Sequence, residues 1–81
     1  MDKTVLVSGM GEYKNPISQL VQTACKYDSH INIESGNKSI NAKSLLGVMA
    51  FGLKDGMEVN IKVEGNDADE ALNAIADFLT A

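Results

Sequence analysis

The sequence predicts one α+β domain over residues 1–81, with three helices on one face of a four-stranded antiparallel sheet. A length of 81 residues suits one domain, and a hydrophobic content of 44% is typical of a protein with a buried core. Short segments of alternating hydrophobicity are interspersed with segments of helical periodicity, in the order βαββαβα. A tight turn between the second and third strand segments favours antiparallel pairing.

The first part of the chain predicts a strand, a glycine-flanked loop and a helix. The β-branched and apolar run Thr4–Ser8 is typical of a strand. Gly9 and Gly11 interrupt this run. Pro16 suits the first turn of a helix, where its missing N–H would have no partner in any case. Apolar residues then recur at helical spacing, which predicts a helix over residues 16–27.

The middle of the chain predicts a β-hairpin. Ile31 and Ile33 alternate with polar residues, and Ser39–Asn41 returns as a short strand. Gly36 and Asn37 lie between the two segments and can adopt the positive φ angles that tight hairpin turns require. We therefore expect these two strands to be adjacent and antiparallel.

A short helix, a strand and a final helix complete the chain. Ser44 is a favoured N-cap for a helix that Gly52 would end. Residues 57–65 alternate between apolar and polar side chains, which predicts a half-buried strand. Asp67, followed three residues later by Glu70, predicts a capping box at the start of the last helix.

Charge and composition exclude several classes of function. The net charge is −4, and all seven cations are lysines. This balance argues against nucleic acid or an anionic membrane as a direct partner, since both attract basic surfaces. No run is apolar enough for a signal peptide or a membrane span. We expect a cytoplasmic protein.

The chain offers few groups for catalysis or metal binding. It has one histidine and one cysteine, so it has no histidine pair and no CxxC motif. We identify no Ser–His–Asp set that includes the single histidine. The sequence predicts no metal site and no cofactor. A single cysteine also suits a reducing compartment, and we expect Cys25 to be a small packed residue.

The loop before the first helix has the backbone features of an anion-binding site but lacks the side chains that commonly bind or carry a phosphoryl group. A glycine-flanked loop that runs into a helix N-terminus points free backbone N–H groups towards a bound anion. Residues 9–15, however, contain no His, Cys, Arg, Ser or Thr. Tyr13, Lys14 and Asn15 occupy the positions where such a site would have its functional side chains.

Two longer segments resemble a known family. "LVQTACKYD" (residues 20–28) and "NAKSLLGVMAFGLKDG" (residues 41–56) are similar to segments of HPr, the histidine-containing phosphocarrier of the bacterial sugar phosphotransferase system. The resemblance covers nearly the whole chain, and it implies the open-faced β-sandwich of that family. The element order predicted from periodicity agrees with this fold.

The resemblance implies that carrier chemistry is lost. The HPr loop reads roughly Gly-x-His-Ala-Arg-Pro, and alignment through Pro16 places Tyr13 at the carrier histidine and Asn15 at the arginine. A phosphoramidate of imidazole is labile, whereas a phenol has a pKa of about 10 and forms a more stable ester. Glu12 adds a negative charge that repels phosphate. We therefore expect no catalytic residue and no enzymatic activity.

The resemblance also implies a regulatory site at Ser44. Many HPr proteins of Gram-positive bacteria are phosphorylated at this serine by HPr kinase/phosphorylase with ATP, and the product acts as corepressor of a LacI-type catabolite control regulator. Crh, a paralogue, keeps the serine and lacks the carrier histidine, as this chain does. The expected partner-binding residues lie on the first two helices: Ser18, Gln19, Gln22, Leu45, Leu46 and Met49.

Two alternatives remain open at the level of the sequence. The chain could carry phosphoryl groups in the phosphotransferase system through another acceptor, or it could be a paralogue that binds a partner and is never phosphorylated. His30 is the one histidine, but it follows the first helix at the end away from the loop. We expect it to be an ordinary surface or strand-edge residue.

Overall fold

The chain forms four strands, three α-helices and one short 3₁₀ helix in the computed structural model, which describes residues 1–80. The strands are β1 (Asp2–Leu6), β2 (His30–Ser35), β3 (Lys38–Asn41) and β4 (Glu58–Glu64). The helices are α1 (Pro16–Cys25), α2 (Leu45–Phe51) and α3 (Ala68–Leu79), and the 3₁₀ helix is Met10–Glu12.

The strands form one antiparallel sheet in the order β1-β4-β2-β3. Ile33 of β2 lies at the centre, opposite Ile61 of β4 on one side and Ile40 of β3 on the other. On the edge of β4 that faces away from β2, Val59 pairs with Val5 of β1. This arrangement confirms the predicted fold class, an open sheet with three helices.

The core lies between one face of the sheet and the helices. Alternate residues of β4 are buried, and Leu20 of α1 and Ile75 of α3 are fully buried with them. Burial of each such aliphatic side chain contributes about 1.5–3 kcal/mol, so this apolar layer is the main stabilising element of the fold. Within residues 1–80, no helix has the length and apolar character needed to cross a membrane.

The first strand and the first helix differ from their predicted bounds by two residues, whereas the predicted bounds of β3 and β4 agree to within one residue. The first strand is Asp2–Leu6 and not Thr4–Ser8, because the chain leaves the β4 ladder after Leu6: the Ser8 N–H donates instead to the Leu79 carbonyl of α3 (2.7 Å). The first helix ends at Cys25 and not at residue 27, because its last turn tightens. The N–H of Tyr27 donates to the carbonyl three residues back rather than four.

The predicted capping box at Asp67 is wrong. Asp67 occupies the N-cap of α3, but its side chain makes no capping bond. Its carboxylate accepts hydrogen bonds from the N–H of Asp28 (3.0 Å), the N–H of Ser29 (3.0 Å) and the Ser29 hydroxyl. These donors, above all the Ser29 hydroxyl, lower the pKa of Asp67 below its usual 3.8. Asp67 therefore links the start of α3 to the start of β2.

Cys25 is exposed, so its expected packing is also wrong. The buried face of α1 passes through Leu20 and Ala24. The next residue along an α-helix is rotated by about 100°, which turns Cys25 away from that face.

Candidate functional site

The loop before α1 is a compact, tethered turn. Gly9 adopts a left-handed conformation (φ 82°), which allows the chain to turn from β1 into the 3₁₀ helix. Within the turn, the Glu12 N–H donates to the Gly9 carbonyl (3.0 Å). The N–H of buried Met10 donates to the Asp55 carboxylate (2.9 Å), which ties the loop to the connection between α2 and β4.

Tyr13 fixes the end of this loop to α3. Its ring stacks on Phe78 with 4.0 Å between the ring centroids and 7° between the planes. Its hydroxyl donates a hydrogen bond to the backbone carbonyl of the same Phe78 (3.1 Å). Both the ring face and the hydroxyl of half-buried Tyr13 therefore contact Phe78, and Tyr13 packs against the hydrophobic core.

Asn15 and Lys14 are exposed beside Tyr13. Asn15 is the N-cap residue of α1, where its carbonyl accepts the N–H of Gln19 (2.9 Å) and its side chain makes no capping bond. The loop thus presents one exposed cation, Lys14, and one exposed anion, Glu12, with no imidazole or guanidinium.

His30 lies away from this loop. It is the exposed first residue of β2, opposite Glu64 of β4, and it follows the C-terminal end of α1. The loop lies at the other end of that helix. The structure therefore does not bring the one histidine to the loop, in agreement with its predicted surface position. In the part of the chain that the structure describes, no group of three or more His, Cys, Asp or Glu residues could hold a metal ion.

Ser44 is the N-cap of α2, as its sequence context predicts. Its backbone is extended (φ −99°, ψ 111°), and its Oγ accepts the N–H of Gly47 at 3.2 Å. Its carbonyl accepts the N–H of Val48 at 3.0 Å, which begins the helix. Ser44 is exposed.

Helix α2 has a buried face and an exposed apolar face. Val48 and Phe51 pack into the core. Leu45, Leu46 and Met49 are exposed by 46%, 79% and 59%, which is unusual for three large apolar side chains on one helix of seven residues. An exposed apolar patch of this kind indicates a surface that contacts other molecules.

Helix α1 contacts α2, and the predicted partner-binding residues of α1 are polar. Gln19 and Gln22 are exposed and Ser18 is half-buried. We call the combined set the α1–α2 surface, and it consists of the predicted partner-binding residues: Ser18, Gln19, Gln22, Leu45, Leu46 and Met49.

Lys43, the residue before Ser44, makes a contact that the sequence did not reveal. Its Nζ donates to the Tyr27 carbonyl at 2.6 Å, which joins the segment before α2 to the turn that follows α1. The two residues are 16 positions apart, so no local pattern could have predicted the contact.

Comparison with known proteins gives consistent matches over nearly the whole chain. The sequence model of PTS-HPr, described as "PTS HPr component phosphorylation site", matches residues 2–81. The phosphocarrier protein HPr of Bacillus anthracis is 36% identical, with a TM-score of 0.89, over 99% of this chain and 96% of that one. An HPr dimer from Thermoanaerobacter tengcongensis is also 36% identical, with a TM-score of 0.74, over 90% of this chain and 85% of that one.

A catabolite repression protein is among the similar structures. Crh of Bacillus subtilis is 29% identical, with a TM-score of 0.76, and the match covers 93% of this chain and 83% of that one. That protein is described as a dimer with a swapped domain.

Proposed function

The chain belongs to the HPr family of phosphocarrier proteins of the phosphotransferase system, and from this premise we propose that it is a regulatory member, phosphorylated on Ser44, and not a phosphohistidine carrier. Tyr13 provides the main support. It takes the place of the carrier histidine, and its ring and hydroxyl are both engaged with Phe78. We place the protein in the cytoplasm.

Carrier chemistry requires a nucleophile whose phosphorylated form transfers readily. The Tyr13 oxygen would have to leave the Phe78 carbonyl to accept a phosphoryl group, and the resulting phenyl ester would be far less labile than a phosphoramidate. The exposed side chain of Asn15, where the family has arginine, supplies no positive charge for the phosphoryl oxygens.

Regulatory phosphorylation requires only an accessible hydroxyl. In the proposed step, the Ser44 Oγ attacks the γ-phosphorus of ATP, the Oγ–P bond forms, and the bond from phosphorus to the leaving ADP oxygen breaks. The hydroxyl proton passes to a base of HPr kinase/phosphorylase. Ser44 is exposed at the start of α2, so the new charge of about −1.5 to −2 enters no apolar layer.

The modified serine would act as a charged tag beside an apolar docking patch. Arg or Lys of a LacI-type catabolite control regulator would pair with the phosphate, and charge-assisted pairs of this kind are stronger than neutral hydrogen bonds. Leu46 and Met49 would supply apolar contact next to the tag. The proposed partners are thus HPr kinase/phosphorylase and the regulator.

A carrier function is the second candidate, and one observation favours it. The identity to the phosphocarrier of Bacillus anthracis is 36%, against 29% to Crh. If the chain is a carrier, its acceptor has to be a residue other than the family's histidine.

Phosphopeptide mapping after two parallel incubations separates these candidates. One incubation contains ATP and HPr kinase/phosphorylase, and the other contains phosphoenolpyruvate and enzyme I. Samples stay at neutral to basic pH because phosphohistidine is acid-labile. We expect phosphate on Ser44 in the first incubation, none in its Ser44→Ala variant, and none in the second incubation. Phosphate on Tyr13 or His30 in the second incubation would contradict the proposal.

A further inference from the structure

Gly47 occupies a helical position that does not require glycine for its backbone. It is the third residue of α2, and it is not among the glycines that adopt positive φ angles. Alanine is the most favourable residue at such a position, and glycine is among the least favourable. The glycine therefore weakens a helix of only seven residues, and another feature has to account for it.

The space beside Gly47 is occupied by Ser44. A β-carbon at residue 47 would lie 3.2 Å from the Ser44 Oγ and 3.3 Å from the Ser44 Cβ. Its next neighbour, the Cβ of Ile40, is 3.9 Å away, which is an ordinary contact. A side chain at residue 47 would thus crowd the serine and nothing else nearby.

Helix capping by Ser44 does not by itself explain the glycine. A capping serine needs only the N–H of the residue three positions later, and alanine has this N–H as well. Capping boxes combine an N-cap serine with Glu or Gln at that position, so a side chain there is compatible with capping. What glycine adds is open space on one side of the hydroxyl oxygen.

We propose that Gly47 is a specificity-determining residue for the phosphorylation of Ser44. By lacking a side chain, it leaves room beside the Oγ for the incoming phosphorus and its three oxygens. Transfer requires an in-line approach to the hydroxyl, and its rate falls steeply when a reacting atom is displaced, by as much as about 100-fold for about 1 Å. This inference rests on the proposed function of Ser44.

The test compares three chains as substrates of HPr kinase/phosphorylase: the wild type, Gly47→Ala and Ala50→Gly. We expect Gly47→Ala to lower kcat/KM for Ser44 phosphorylation by about tenfold or more, while its melting temperature stays equal or rises. Ala50→Gly is the matched control, since it weakens the same helix at an exposed position away from Ser44. We expect it to be phosphorylated at the wild-type rate.

Crowding at residue 44 can also be measured in the absence of the kinase. In a Cys25→Ser, Ser44→Cys background, which removes the exposed native thiol, the introduced thiol is alkylated with iodoacetamide. We expect Gly47→Ala to slow this alkylation.

The possible outcomes separate the inference from the proposed function. Wild-type rates in Gly47→Ala, with the wild type itself phosphorylated, would overturn the role of Gly47 and leave the function of Ser44 intact. An equal loss in Ala50→Gly would show that the effect is not specific to the space beside Ser44 and would overturn the inference. Failure of Gly47→Ala to fold would also contradict it, because the overlap is small and exposed Ser44 should relieve it. No phosphorylation of the wild type would overturn both.

Discussion

Tyr13 and Phe78 contact each other twice, through stacked rings with centroids 4.0 Å apart and through a 3.1 Å hydrogen bond from the Tyr13 hydroxyl to the Phe78 carbonyl. The first contact needs an aromatic ring at residue 13, and the second needs its hydroxyl. Together they make Tyr13 a part of the packing between the loop and α3. The two contributions can be separated by substitution.

Tyr13→Phe and Tyr13→Ala should differ in stability. Tyr13→Phe keeps the stack and loses one hydrogen bond, so we expect a loss of about 1 kcal/mol in the free energy of unfolding. Tyr13→Ala also loses the half-buried ring, and we expect a total loss of about 2–3 kcal/mol. Urea denaturation followed by circular dichroism measures both. Equal losses in the two variants would show that the ring does not contribute.

Phosphoryl transfer from enzyme I should be fastest when residues 13 and 15 are both changed to the histidine and arginine of the HPr motif. We expect Tyr13→His with Asn15→Arg to accept a phosphoryl group from enzyme I and phosphoenolpyruvate, because imidazole supplies the nucleophile and guanidinium pairs with the phosphoryl oxygens. Tyr13→His alone should be slower by about tenfold or more, since the developing charge lacks its cation. Mapping of acid-labile phosphate measures this. Equal rates would show that residue 15 is irrelevant to transfer.

Asp67 should make the protein sensitive to acid. Its pKa is lowered in the folded state, mainly by the Ser29 hydroxyl, so the ionised carboxylate stabilises the fold at pH values above 3.8. This contribution is lost as the pH falls from the unfolded pKa through the lower, folded one. We expect the stability difference between the wild type and Asp67→Asn to be constant near pH 7 and to shrink below about pH 4. Denaturation curves at several pH values test this, and a difference that does not change with pH would contradict it.

Leu46 should matter for binding and not for stability. It is 79% exposed, so Leu46→Ser should change the free energy of unfolding by no more than about 0.5 kcal/mol. We expect the same variant, phosphorylated on Ser44, to bind the catabolite control regulator about tenfold or more weakly. Leu6→Ser is the matched control, because Leu6 is 61% exposed on β1, outside the α1–α2 surface. An equal loss of affinity in both variants would contradict a specific role of the patch.

Local patterns in the sequence predicted most of the fold. The alternation in residues 57–65 and the glycine turn at Gly36 identify β4 and the β2–β3 hairpin, since both signals lie within one element or its flanking turn. Ser44 was identified as an N-cap for the same reason, because a cap involves residues only three positions apart. The exposure of Leu46 also follows from a helix too short to bury all its apolar residues.

Contacts between distant parts of the chain were not predictable in this way. Asp67 has the local sequence of a capping box, but the N–H groups of Asp28 and Ser29 compete for its carboxylate from 38 or more positions away. The engagement of Tyr13 with Phe78 depends on how α3 returns to the loop, which no pattern around residue 13 contains. The sequence therefore identified Tyr13 and Asp67 as residues of interest, and only the packing of the chain shows which groups they contact.

The tie between Tyr13 and Phe78 has a consequence for how the chain folds. The two residues are 65 positions apart, so their contact closes a long loop of the chain. The bond from the Ser8 N–H to the Leu79 carbonyl closes a similar loop. The entropy of loop closure has to be paid before such contacts stabilise the fold, so we expect them to form slowly. The loop before α1 should therefore reach its final conformation after the local helices and the β2–β3 hairpin have formed.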